Sequence, residues 1–82
     1  MEIEITVRMF AFQAEHAGGG RRKLTLPQGA TVGDAVAQLR AELPGLPWAA
    51  GTLVAVNQGY ASLAETLHAG DELAVIPPVS GG

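Results

Sequence analysis

A single amphipathic helix, bracketed by segments patterned as strands, constrains this chain more than any other feature. It opens at Thr31, a good N-cap. Asp34, three residues on, can help cap the same turn and meet the positive end of the helix dipole. Val32, Ala35, Val36, Leu39 and Leu43 follow at helical spacing, so one face is apolar. Pro44-Gly45 ends the helix. One helix with one apolar face needs a second layer to cover. A chain of 82 residues has room for one core only, and buries about 60% of its unfolded surface. Hydrophobic residues at 48% against 16% charged favour a folded globule over a disordered tail.

The strands supply that layer. From Glu2 to Phe10 the sequence alternates: Ile3, Ile5, Val7 and Met9 share one parity, Glu2, Glu4, Thr6 and Arg8 the other. Phe10 falls on the polar parity. A glycine-rich turn at Ala17–Gly20 leads to a second strand over Arg21–Leu26, and the pair reads as a hairpin. After the helix, 46–51 is irregular, with Trp48 expected to plug one end of the core. Leu53 to Asn57 is a short apolar strand and Asn57-Gln58-Gly59 a turn. Leu63 and Leu67 are expected to pack under a loop or short helical turn. His68-Ala69-Gly70-Asp71 turns into a last strand, Glu72–Ile76, which Pro77-Pro78 stops for want of amide donors. Strands around one helix predict an α+β fold, a mixed sheet with the helix across one face. A hairpin, a crossover helix and a final strand describe the β-grasp, or ubiquitin-like, arrangement, in which first and last strands are central neighbours. Residues 1–78 form that domain, and 79–82 a flexible, exposed tail.

Several chemistries are set aside. There is no cysteine, hence no disulfide, thiolate metal site or cysteine nucleophile, which fits a cytoplasmic setting. Met1-Glu2-Ile3-Glu4 has no basic or long apolar stretch, so neither a secretory signal nor a membrane span is expected. The formal charge of −3 does not suit nucleic acid, and Arg21-Arg22-Lys23 reads as a solvated strand edge. Gly18-Gly19-Gly20 lacks the spacing of a phosphate loop. His16 and His68 lie far apart with no clustered ligands, so no metal is expected. Asp71-Glu72 beside Gly70 fits a turn better than paired acid–base catalysis.

The strongest chemical feature is the end, Ile76-Pro77-Pro78-Val79-Ser80-Gly81-Gly82. Four residues beyond Pro78 reach roughly 13 Å when extended, and glycine, without a Cβ, can enter a narrow channel. The α-carboxylate is ionised at neutral pH and resists nucleophiles unless activated, for example as an acyl-adenylate. Attack by a sulfur donor then leaves a thiocarboxylate, a nucleophile that needs no cysteine. Strand parity adds a surface: Ile76 points with Glu72 and Ala74 away from the core, toward the side that carries Phe10, and Tyr60 in the turn after the third strand joins them. Phe10, Tyr60 and Ile76 are the expected docking patch, with Pro77, Pro78, Val79 and Ser80 leading from it to Gly81 and Gly82.

Met9-Phe10-Ala11 through Glu15 and Gly18, Val54-Ala55-Val56-Asn57, and the run from Gly70-Asp71-Glu72 to Gly81-Gly82 together make the chain resemble the molybdopterin synthase small subunit, the MoaD family. Phe12-Gln13-Ala14 and His16 depart from it, standing where that family often has a basic residue. The resemblance implies that an adenylyltransferase related to ubiquitin-activating enzymes adenylates Gly82 with ATP, and that a sulfurtransferase system converts it to the thiocarboxylate. The tail then enters the large subunit of a heterotetramer, whose pocket holds the catalytic groups, and gives sulfur to cyclic pyranopterin monophosphate. No cofactor is bound permanently. The same ending also suits a carrier for tRNA thiolation or thiamine thiazole synthesis, a ubiquitin-like protein modifier, or a plain interaction domain with an inert tail. Pro77-Pro78 and the chain length lean away from the thiazole carriers.

Overall fold

A computed structural model describes residues 1–78. The elements are β1 (Glu2–Met9), α1 (Ala11–Ala17), β2 (Arg21–Pro27), α2 (Val32–Glu42), β3 (Leu53–Val56), β4 (Gly59–Tyr60) and β5 (Glu72–Ile76). The five strands form one sheet in the order β2-β1-β5-β3-β4. β1 and β5 run parallel at its centre, and the other neighbours pair antiparallel. This is the expected β-grasp, with first and last strands side by side. The tail, including the expected exposure of Gly81 and Gly82, lies outside the described residues.

The core forms where strand parity and the helix stripe meet. Ile5, Val7 and Met9 of β1, Leu24 and Leu26 of β2, and Leu73 and Val75 of β5 are buried against Val32, Ala35 and Leu39 of α2. Trp48 packs against this core, half-buried, with the Arg40 guanidinium 5.3 Å from its ring centroid. Thr31 and Asp34 complete a reciprocal capping box: Thr31 Oγ1 accepts from the Asp34 amide at 3.2 Å, and Asp34 Oδ2 accepts from the Thr31 amide at 2.9 Å. The next two amides of the helix start are taken by the 63–65 loop, Val32 donating to Glu65 O and Gly33 to Leu63 O, both at 2.9 Å. The helix start is therefore stitched to a loop distant in sequence, and its orphan donors are satisfied.

Two devices hold the sheet in register. Asn57, at the end of β3, accepts from the Glu72 amide at 3.0 Å and donates to Asp71 Oδ1 at 3.0 Å, while Asp71 Oδ2 accepts from the His68 amide at 2.8 Å. Asp71 thus has the turn role its sequence suggests. On the far side, Gln38 donates to Thr25 O at 2.7 Å and Arg22 meets Glu42 at 3.1 Å, fastening α2 over the β2 edge. Arg21 and Lys23 sit along that edge opposite Glu72 and Glu4, in loose, exposed pairs. Cations on an edge strand discourage pairing with another chain.

Three expectations are corrected. The connection between β1 and β2 is a helix turn, α1, and the glycine-rich stretch follows it: Gly18, at φ 79°, caps its C-terminus. Leu67 is buried as expected, but Leu63 is 59% exposed, because the 63–65 segment faces α2 with its carbonyls. In the turn after β3 the left-handed residues are Asn57 (φ 50°) and Gln58 (φ 75°), and Gly59 begins a short fourth strand that the sequence reading did not contain. No helix among the described residues is long and apolar enough to cross a membrane.

Candidate functional site

The outer face of the sheet, opposite α2, is the first candidate surface. The registers Arg8↔Ala74, Ala74↔Ala55 and Ala55↔Tyr60 lay these four residues in one row across four strands. The next row begins with Phe10, which still has extended backbone (φ −132°, ψ 157°), and continues through the Ile76↔Leu53 pair. Arg8 places its guanidinium 5.3 Å from the Phe10 ring centroid, so both side chains stand on the same face. Phe10 is 38% exposed, Leu53 51% and Tyr60 76%, while Ile76 is half-buried.

Phe10 and Ile76 are thus brought to one row, as parity required. Tyr60 is on the same face but three strand spacings across from the Arg8 position and one row away from Phe10, about 16 Å from it. Between them, Ala74 and Ala55 form a low floor walled by Ile76 and Leu53. Leu53 was missed by sequence reasoning: its strand, Leu53-Val54-Ala55-Val56, is apolar throughout, so parity is silent and only pairing with Ile76 reveals its face. A groove of about 430 Å³ continues the apolar surface past the β4 edge, lined in part by Leu53, Tyr60 and Leu63.

A second cluster lies where β5 runs out. Pro77 and Pro78 share a groove of about 140 Å³ with Phe12, Gln13, Pro47 and Ala49. A Cβ at Gly51 would meet Pro78 Cβ at 3.6 Å, so the 49–51 loop runs beside the root of the tail. α1 is tied to the loop after α2 by two side chains: Gln13 Nε2 donates to Pro47 O at 2.9 Å, and His16 Nε2 lies 3.1 Å from Pro44 O. Gln13 and His16 are two of the four residues by which the chain departs from its resemblance, and here they fasten α1 down. Ala11, at φ 54°, takes the left-handed turn between Phe10 and Phe12. Val79, Ser80, Gly81 and Gly82 lie outside the described residues. Among the described residues no group of three or more metal-ligating side chains assembles, and His68 sits exposed in its turn.

The ThiS family model matches residues 7–82. The chain belongs to the ThiS family. A molybdopterin synthase sulfur carrier subunit from Chlamydomonas reinhardtii is 41% identical over 98% of this chain and 100% of that protein. Small archaeal modifier protein 1 from Haloferax volcanii is 40% identical over 92% and 97%. A crystal structure of the Haloferax protein superposes with a TM-score of 0.84 at 32% identity, covering 94% of this chain and 99% of that one. The ThiS-family match thus spans both candidate surfaces and the Gly-Gly end, and the solved relative shares the ubiquitin-like fold.

Proposed function

We propose that this chain is a sulfur carrier of molybdenum cofactor biosynthesis, the small subunit of a molybdopterin synthase, with the α-carboxylate of Gly82 as its working group. The observation that carries the reading is positional. β5 ends at Ile76 within the exposed apolar row, and Pro77-Pro78 break the strand there, which leaves four residues of sequence, roughly 13 Å when extended, between Pro78 and the Gly82 carboxylate. A partner seated on Phe10, Leu53 and Ile76 is therefore within reach of the terminal carboxylate. The carrier relative matched over its whole length supports the same role.

The chemistry follows from the carboxylate. It attacks the α-phosphorus of ATP on an adenylyltransferase and expels pyrophosphate. Sulfur at the sulfide oxidation level, supplied by a sulfurtransferase, attacks the acyl carbon and expels AMP. The resulting thiocarboxylate sulfur is the nucleophile delivered to the pyranopterin in the large subunit, which supplies the catalytic groups. Phe10, Tyr60 and Ile76, now with Leu53, form the docking patch used by successive partners, and an aromatic anchor within such a patch dominates binding energy. Phe10→Ala and Ile76→Ala should each weaken binding to the activating enzyme and to the large subunit at least tenfold, about 1.4 kcal/mol, with the fold intact. Normal binding by both variants, or loss only through unfolding, overturns the patch.

A second reading is favoured by the 40% identical modifier protein: conjugation of Gly82 to amines of target proteins. Intact mass of the chain purified from its own cells separates the two. Exchange of one oxygen for one sulfur supports the carrier, isopeptide adducts support the modifier, and an unmodified terminus argues against both.

A further inference from the structure

The outer face of the sheet carries a charged cluster beside the apolar row. The register sets Arg8 opposite Arg21, and Thr6 between Lys23 on β2 and Glu72 on β5. Arg8 and Arg21 lean on the same carboxylate, Glu72, at 3.6 and 3.8 Å, and Lys23 stands 3.8 Å from Glu4. Three cations thus share two carboxylates, and this part of the face is short of one anion although the whole chain carries a charge of −3. Arg22 adds nothing to the excess, because Glu42 meets it on the α2 side at 3.1 Å. Discouraging strand pairing requires charge on the β2 edge alone. Arg8 stands on the interior strand β1, and its guanidinium lies 5.3 Å from the Phe10 ring centroid, which ties the cluster to the row. Beside it opens a recess of about 200 Å³ lined by Thr6, Arg21, Arg22 and Lys23.

We propose that a protein seated on Phe10 and Ile76 also presents a carboxylate side chain, an Asp or a Glu, which enters this recess over Thr6 and completes the cluster. Burial supplies the reason. A partner that covers Phe10 also covers Arg8, and a cation taken out of water needs a counter-ion. Glu72 cannot serve Arg8 fully while Arg21 shares it, so the missing negative charge comes from the partner. The hydroxyl of Thr6, half-buried at the recess, is a neutral donor to the same group. The charge count argues against a second copy of this chain as the occupant. A two-fold pairing sets the same patch on both sides, so neither copy has a carboxylate to spare.

The inference rests on the docking patch of the carrier reading, and the experiment tells their failures apart. Association of the full chain with the large subunit and with the activating enzyme, each from the same cells, is followed by stopped flow. Low ionic strength is used, where charges act over about 30 Å. Arg21→Gln removes the excess cation, and Glu72→Gln doubles the excess. Glu65→Gln makes the same change in net charge as Glu72→Gln, but in the loop at the start of α2. Melting temperatures establish that the variants fold, and either face variant alone gives the sign of the effect. For a partner whose binding needs Phe10, Arg21→Gln should lower the association rate about fivefold and Glu72→Gln should raise it about as much, the weight of one unit charge at ~4 Å in water. Glu65→Gln should stay within about twofold of the wild type, as a charge far from an interface does. Face variants that both keep the wild-type rate, or that move it in one direction, overturn the carboxylate while the patch stands, as does a Glu65→Gln effect equal to that of Glu72→Gln. A wild-type chain that binds neither partner, or that binds both regardless of Phe10→Ala, overturns the patch and the inference together.

Discussion

Leu39→Ala tests the architecture on which both candidate surfaces depend. Leu39 lies on the inner face of α2 with no exposed area. The substitution removes three carbons, worth roughly 2.4 kcal/mol at about 0.8 kcal/mol each. A residual void of about 40 Å³ adds about 1 kcal/mol at ~24 cal/mol per Å³. The expected loss is therefore about 3 kcal/mol, within the ~2–5 kcal/mol seen for core truncations. An 82-residue domain at ~0.05–0.15 kcal/mol per residue holds about 4–12 kcal/mol in total, so the variant should remain folded at low temperature. Its melting temperature should fall by at least about 12 °C, at ~4–8 °C per kcal/mol for a domain of this size. Urea titration followed by far-UV circular dichroism measures the loss, with an unchanged m-value confirming that the unfolding transition is the same. Val36→Ala, at a half-buried position on the flank of the same helix, should cost clearly less. A loss at Leu39 below about 0.5 kcal/mol, typical of surface sites, or a greater loss at Val36, would mean that the helix presents a different face to the sheet.

Three further outcomes are expected. Deleting Gly82, or adding one residue after it, should abolish sulfur transfer and leave the urea midpoint nearly unchanged; transfer by an extended, untrimmed chain would refute the terminal-carboxylate chemistry. Thr31→Ala removes one arm of the capping box and should cost about 1 kcal/mol, read from the same titration; no loss would show that the loop carbonyls alone hold the helix start. Asn57→Gly keeps the left-handed backbone but deletes the bonds to Glu72 and Asp71. It should lose about 1–3 kcal/mol, whereas an unchanged midpoint would leave turn geometry as the sole role of Asn57.

The helix boundaries, the face of β1 and the end of β5 were legible in the sequence because each rests on interactions within a few residues. Thr31 and Asp34 close their box across one turn, alternation from Ile3 to Met9 is a property of one strand, and Pro77 lacks its donor whatever surrounds it. The docking expectation for Phe10 and Ile76 was half local: parity gave each residue its face, but their shared row comes from the pairing of β1 with β5. Leu53 and the distance from Phe10 to Tyr60 had no local signal, since an all-apolar strand hides its parity and strand order is set by partners far along the chain. α1 was hidden for a related reason. Its seven residues are too few to nucleate a helix alone, and Gln13 and His16 hold it against the segment at 44–47. The sequence by itself thus determined the elements with self-contained hydrogen bonding or periodicity, together with the Gly81-Gly82 pair on which the proposed chemistry rests. The tertiary structure alone decided which exposed side chains share a row and which buried oxygen, Gln13 Oε1, is left without a donor, because both depend on contacts between segments that the chain brings together only on folding.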